Sequence, residues 1–265
     1  MASERTSGGS QTSLREANRA RIVGAVQQRG SITQIELAGM TGLSAATVSN
    51  IVKELTAAGV LQTMPTSRSG RRAQEVSLAR NLGLVAGVHV GERQMRVALA
   101  DVSHKVVAEQ RLPLPPGHRA DSGLDRAVML IDELAESIGA PLGEVLAVGI
   151  GLPAPVDVAS GRVTAPWILP GWAGVNVRQV LGDRLGVPVV VDNDANLSAL
   201  AETRLGVARD LANVVYVSLS HGVGLGLVVD GRVVHGRRGA AGELGHVLDD
   251  EAGPQGPCGL PGCLQ

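Results

Sequence analysis

The run Ser44-Ala45-Ala46-Thr47-Val48-Ser49-Asn50-Ile51-Val52-Lys53 combines an apolar stripe with small and hydrogen-bonding side chains. Val48, Ile51, Val52 and Leu55 recur at i, i+3, i+4 and i+7, which predicts one buried helix face with Ser44 as its N-cap. The opposite face then offers Ala45, Ala46, Thr47, Ser49, Asn50 and Lys53. Small residues permit close approach to base edges, the Asn50 amide has the donor and acceptor pair that adenine matches, and Lys53 suits a phosphate. Further along, Pro65 to Arg72 reads as a flexible loop holding Arg68, Arg71 and Arg72, cations that can lie along phosphates or in a minor groove. The chemistry implied is recognition of double-stranded DNA.

Such residues need a frame, and the first eighty residues supply it. Beyond a tail over residues 1–12 expected to be disordered, Leu14 to Gln28 reads as a helix ended by Gly30. Thr33 and Glu36 have capping-box spacing, and Ile32 can staple onto Leu37. That helix stops at Thr41-Gly42, and the third is ended by Gly59. Two short helices joined by a glycine turn make a helix-turn-helix. Val60 to Met64 and Gln74 to Leu78 read as strands flanking the arginine loop, which makes the loop a wing. The alternative is a plain three-helix bundle whose third helix faces solvent. Three helices and a basic hairpin in this order, with Gly42-Leu43-Ser44-Ala45-Ala46-Thr47-Val48-Ser49 followed by Leu55 and Gly59-Val60-Leu61, resemble the winged-helix domain of the MarR-like and ROK (repressor, open reading frame, kinase) regulators. The expected limits of this domain are residues 13–79.

Composition agrees with a division in two. The 265 residues carry a net charge of −1, split as +4 over Met1 to Leu78 and −5 over the remainder. A basic head on an acidic body suggests a nucleic-acid-facing module attached to something else, the alternative being chance scatter of surface charge. With no Phe, one Tyr and two Trp, stacking of bases on aromatic side chains is not available as a binding mode. No apolar run is long enough to span a bilayer, and Met1 to Ser13 has neither a secretory nor a transit pattern, so no membrane partner and a cytoplasmic location are expected.

From Leu84 the pattern becomes strands alternating with helices. Strands are expected at Leu84 to Val90, Gln94 to Ala100, Val106 to Arg111, Val145 to Ile150, Val187 to Val191, Val214 to Leu219 and Leu225 to Val229. Helices are expected at Leu124 to Ile138, Val177 to Leu185 and Asp194 to Leu205. This is an α/β order with ligand loops at strand ends. The segments Val148 to Asp157, Leu169-Pro170-Gly171-Trp172, Asp192-Asn193-Asp194-Ala195-Asn196, Gly222-Val223-Gly224-Leu225-Gly226 and Gly242-Glu243-Leu244-Gly245-His246 occur in the order and spacing of the ROK sugar-kinase-like fold. The chain therefore resembles the repressor branch of that family. The resemblance implies an actin-like (ribonuclease H-like) α/β domain over residues 82–265. The family's chains extend on the order of a hundred residues further, which predicts a second lobe lacking part of its cover.

By the same resemblance Asn193, Asp194, Glu243 and His246 are sugar-binding positions, with Asp194 where the kinases place their general base. Asn193 and Asp194 could otherwise be a helix N-cap. The departures concern phosphate. Where active kinases have an Asp-x-Gly-Gly-Thr turn, this chain reads His89-Val90-Gly91-Glu92-Arg93, and Glu92 would repel an anion; His221 stands for a Thr in the second glycine-rich loop. ATP binding, and with it catalysis, is expected to be lost and sugar binding kept. Ile168 and Gln265 replace two further family sugar contacts. The family's structural zinc site implies His246, Cys258 and Cys263 as three of four ligands, with Gly256 in the fourth place; water or Asp250 could complete it, or the two thiols could be unligated.

The expected activity is that of a sequence-specific transcription regulator, a repressor of carbohydrate genes. It would act as a homodimer or homotetramer on double-stranded operator DNA and respond to a sugar or sugar phosphate. A sugar kinase with a helical head, or a working head on a mute body, are the alternatives.

Overall fold

The computed structural model describes residues 8–68, 71–79, 82–165, 167–220, 222–256 and 258–264. Two compact units divide it, one of residues up to Gly83 with the turn Asp101–Lys105, the other of Leu84–Ala100 with Val106 onward.

In the first unit α1 spans Gly8–Arg29, so the helix starts six residues ahead of Leu14, where the apolar pattern begins. Residues 1–7 lie outside the described residues. Strand β1 (Ser31–Thr33) leads into α2 (Gln34–Thr41). The capping box forms as its spacing predicts: Thr33 Oγ1 accepts from the Glu36 N–H at 3.3 Å, and the Thr33 N–H donates to Glu36 Oε2 at 2.9 Å. Such a cap contributes about 1 kcal/mol. Gly42 ends the helix at φ 69°, a left-handed conformation that costs a glycine nothing. Helix α3 (Ala45–Ala57) then buries Val48, Ile51, Val52 and Leu55 against Ile22, Val26 and Leu37. Strands β2 (Leu61–Arg68) and β3 (Arg71–Leu78) pair antiparallel from Leu61↔Leu78 to Arg68↔Arg71. β1 adds to β3 through Ile32↔Val76, completing a three-stranded sheet that the sequence reading did not include.

The second unit opens with β4 (Leu84–Val90), β5 (Gln94–Asp101) and β6 (Val106–Pro113), followed by α4 (Ala120–Ser137) and β7 (Val145–Leu152). Short β8 (Val156–Asp157) and β9 (Arg162–Val163) pair with one another. Then come α5 (Val177–Leu185), β10 (Val189–Asn193) and α6 (Asp194–Arg204). The five-stranded sheet runs β10-β7-β4-β5-β6, with β10 and β4 each parallel to β7. Leu124, Leu130, Ile131, Val148, Ile150, Val191 and Trp172 fill its core. A second sheet holds β11 (Val214–Leu219), β12 (Val223–Val229) and β13 (Arg232–Val233). Gly226 of β12 lies so close to α6 that a Cβ there would come within 2.2 Å of the Ala195 carbonyl oxygen, which explains the glycine. Among the described residues no helix is long and apolar enough to cross a membrane.

Candidate functional site

Two separate regions carry the residues that could do chemistry. On α3, Ser44 caps the helix by accepting from the Thr47 N–H at 3.2 Å and also bonds the Thr47 hydroxyl at 2.8 Å. Ser44, Ala45, Ala46, Asn50 and Lys53 are exposed, and Thr47 and Ser49 half-buried, so the face opposite the core is open. Beside it, Leu14, Arg15 and Asn18 of α1 join Thr47, Asn50, Lys53 and Glu54 around a shallow depression. Glu54 pairs with both Arg15 and Arg19, the latter at 2.8 Å. Nothing in the sequence around α3 announced these α1 cations, because the contact spans more than thirty residues. Arg68 and Arg71 face each other in register at the ends of β2 and β3, and Arg72 pairs with Ser67. The side chains of all three arginines, and the tip between them, lie outside the described residues.

In the second unit a cavity of about 350 Å³ gathers His89, Gly91, Glu92, Arg93, Pro153, Ile168, Asn193, Asp194, Ser218, Gly222, Glu243 and His246 from six stretches of chain. All four expected sugar positions line it. The residue after β7, Pro153, and the last of β10, Asn193, are brought together because Asn193 is in register with Leu152. Asn193 is also the N-cap of α6, its Oδ1 accepting from the N–H groups of Ala195 (2.9 Å) and Asn196 (3.3 Å). The cap and the cavity wall are thus the same residue. Its amide nitrogen donates to the Ala154 carbonyl at 3.3 Å.

Asp194 Oδ2 lies 3.3 Å from His89 Nε2. Burial, and secondarily the Asp194 carboxylate, push the Glu243 carboxyl up to about 7. Two carboxyl groups thus share one cavity with the His89 and His246 imidazoles. Glu243 Oε2 is 3.8 Å from His246 Nε2. Arg93 lines the cavity together with Glu92, so the repulsion expected from Glu92 meets a cation on the same wall. His221 and Gln265 lie outside the described residues.

A buried relay supports this wall. Trp172, fully buried, donates its indole N–H to His118 Nδ1 at 3.1 Å. An indole nitrogen can only donate, so Nδ1 is the acceptor and His118 Nε2–H donates to the Gly91 carbonyl at 3.0 Å. Neither His118 nor its role was visible in the sequence. Trp172 therefore braces the turn that carries Glu92 and Arg93 without itself lining the cavity.

His246, Cys258 and Cys263 converge with one donor atom each, all within 4.8 Å of one another. The two sulfurs are 3.3 Å apart. The Leu260 backbone N–H and the neighbouring Cys263 thiol hold the Cys258 thiol below its ordinary range, while sharing with Cys258 raises Cys263. His246 Nδ1 is buried with no hydrogen-bond partner, and a buried imidazole nitrogen without one is a site for a Lewis acid or a proton. Two thiols and an imidazole fit zinc. The Asp250 side chain instead accepts from the Ala252 N–H at 2.9 Å and is outside the group, so the completion by Asp250 weighed from the sequence is not formed.

Comparison with known proteins follows the same division. Residues 15–62 match the winged helix-turn-helix DNA-binding family, and residues 85–265 match the ROK family. The DNA-binding transcriptional dual regulator NagC of Escherichia coli K12 is 32% identical over 258 residues, which are 95% of this chain and 62% of NagC. The chain spans less than two thirds of the length of that relative. Among solved structures, a ROK family transcriptional regulator described as a homologue of E. coli MLC aligns with a TM-score of 0.65 at 28% identity, over 94% of this chain and 63% of that one. A ROK family glucokinase from Streptomyces griseus, solved with glucose and AMPPNP, aligns with a TM-score of 0.61 at 29% identity, over 68% of this chain and 55% of the other. With a winged helix-turn-helix in front and the family pattern running through the whole α/β unit, this chain belongs to the ROK family.

Proposed function

We propose that the protein is a transcription regulator, a repressor of carbohydrate genes, that binds double-stranded operator DNA through α3 and the wing arginines and reads a sugar or sugar phosphate in its α/β cavity. The observation that carries this is the division of α3 into a buried face and an opposite one with Ser44, Ala45, Asn50 and Lys53 exposed and Thr47 and Ser49 half-buried. A helix relieved of core duty on one side can enter a major groove. NagC, by name a DNA-binding regulator, aligns over 95% of this chain and so along both of its units.

In the cavity, Asn193, Asp194, Glu243 and His246 present acceptors and donors suited to a ring of hydroxyls. The body is read as a sensor without kinase activity because His89, Glu92 and His221 stand where the family's kinases carry their nucleotide-phosphate motif, and no ATP is expected to bind. Ligand binding changes operator affinity only if two conformations of the body hold the sugar unequally. A homodimer or homotetramer acting in the cytoplasm suits operators built of paired half-sites. His246, Cys258 and Cys263 are proposed to hold zinc. A sugar kinase is the second reading, favoured by the likeness to the glucokinase.

The deciding experiment is salt-dependent binding of the protein to its own upstream DNA, repeated with hexoses, amino sugars and their phosphates. Specific binding that one sugar releases or strengthens supports the regulator. Absence of specific binding together with sugar-dependent ATP turnover would replace it with the kinase.

A further inference from the structure

Helix α1 carries an apolar stripe along only part of its length. Ile22, Ala25 and Val26 are buried in the core of the first unit. Helical spacing continues the Ile22 face toward the N-terminus through Arg19, Asn18 and Arg15. The stripe thus changes from apolar to cationic where α1 meets the polar side of α3. There Arg15 and Asn18 line a shallow depression with Thr47, Asn50, Lys53 and Glu54. A helix outside the helix-turn-helix therefore brings side chains beside two residues of the face read as contacting DNA.

The charges in this place do not balance. Glu54 is the one carboxylate lining the depression, and it serves two guanidinium groups, Arg15 at Oε1 and Arg19 at Oε2. Lys53 adds a third cation. The Nε of Arg19 is buried with no hydrogen-bond partner among the described residues, so Glu54 does not satisfy every donor gathered around it. The Arg15 side chain is 60% exposed, and an ion pair so open to water is held by little free energy. Its guanidinium can exchange the carboxylate for a phosphate, whose oxygens match the same fork of donors.

We propose that Arg15 of α1 contacts a phosphate of the operator backbone at the flank of α3, with Glu54 as the positioning residue that holds the guanidinium beside the DNA-reading face. The inference rests on reading α3 as the helix that enters the major groove. Such a contact fixes the register of the protein on the duplex without reading a base.

Salt dependence separates a phosphate contact from a packing role, because each neutralised phosphate adds about 0.9 to the slope of log K against log salt. Binding of the full-length protein to its own upstream DNA is measured over a range of salt for the wild type and three variants. Arg15→Gln should lower the steepness of the slope by about 1 and weaken binding roughly fivefold near physiological salt, equally for every base change in the site. Arg21→Gln makes the same charge change at an exposed position of α1 outside the depression, and should leave the slope as it is. Glu54→Gln breaks the pair but keeps the cation, and should retain the wild-type slope. If the wild type shows no preference for its upstream DNA, the reading of α3 and the inference fall together. If it binds and Arg15→Gln keeps the full slope, the inference alone is overturned. Equal loss of slope in Arg15→Gln and Glu54→Gln would also overturn it, since Arg15 would then act by pinning α1 to α3.

Discussion

The head and the body solve the placement of functional side chains in opposite ways. On α3 one helix does both jobs, with Val48, Ile51, Val52 and Leu55 holding the core while Ser44, Ala45, Asn50 and Lys53 face outward. Sequence-near residues are enough, because the 3.6-residue period alone sorts them to two faces. The cavity of the body has no such economy. His89 and Asp194 stand 105 residues apart in sequence and 3.3 Å apart in space, and they meet only because β4 and β10 both pair with β7. A local interface tolerates change one residue at a time, whereas an assembled one depends on the whole sheet.

The harshest way to break this contrast is Val52→Asp. Val52 is 1% exposed, and burying an unpaired carboxylate there should destabilise the head by on the order of 4 kcal/mol. The expected outcome is loss of operator binding with sugar affinity unchanged, measured by DNA titration and by calorimetry on the same variant. Loss of both would mean that the two regions are not separable.

A second test concerns the assembled site. The Glu243 carboxyl is raised from an ordinary 4.5 to about 7, so the folded state holds its proton more tightly than the unfolded chain does. Stability from this group is therefore greatest below pH 4.5, falls as pH rises from about 4.5 to 7, and is level above that. Glu243→Gln cannot titrate, and should flatten that decline, worth up to about 3 kcal/mol in full and less after allowance for partial exposure. Urea unfolding across this pH range checks it. A decline that persists in the variant would assign it to another group.

The smallest expected effect sharpens the comparison on the open face of α3. Asn50→Ala should weaken operator binding by about 1–3 kcal/mol and relax base preference at one position, with no change in thermal unfolding. Lost stability instead of lost specificity would make Asn50 part of the frame.

Much of the head could be read from the chain. The Thr33 to Glu36 capping box, the Gly42 turn and the α3 stripe each involve residues within one or two turns of each other, and each is formed as its spacing predicts. What escaped were contacts without local signal. β1 joins β3 across more than forty residues, and Arg15 and Arg19 reach Glu54 from another helix. In the body the motifs around Asn193, Asp194, Glu243 and His246 marked one cavity through family resemblance, but Arg93 beside Glu92 and His118 beneath Gly91 did not stand out.

The sequence by itself marked most of the helices and strands, though not their ends, since α1 starts at Gly8 and β2 and β3 run to Arg68 and from Arg71, and it showed which face of α3 is apolar and which family the body follows, because backbone geometry and periodicity act over a few residues. Only the tertiary structure decided that His89 rests against Asp194, that Asn193 serves as both cap and cavity wall, that burial raises the Glu243 carboxyl to about 7, and that His246, Cys258 and Cys263 converge. Hydrogen-bond reach, burial and charge proximity are set by distances across the fold, and linear spacing does not encode them.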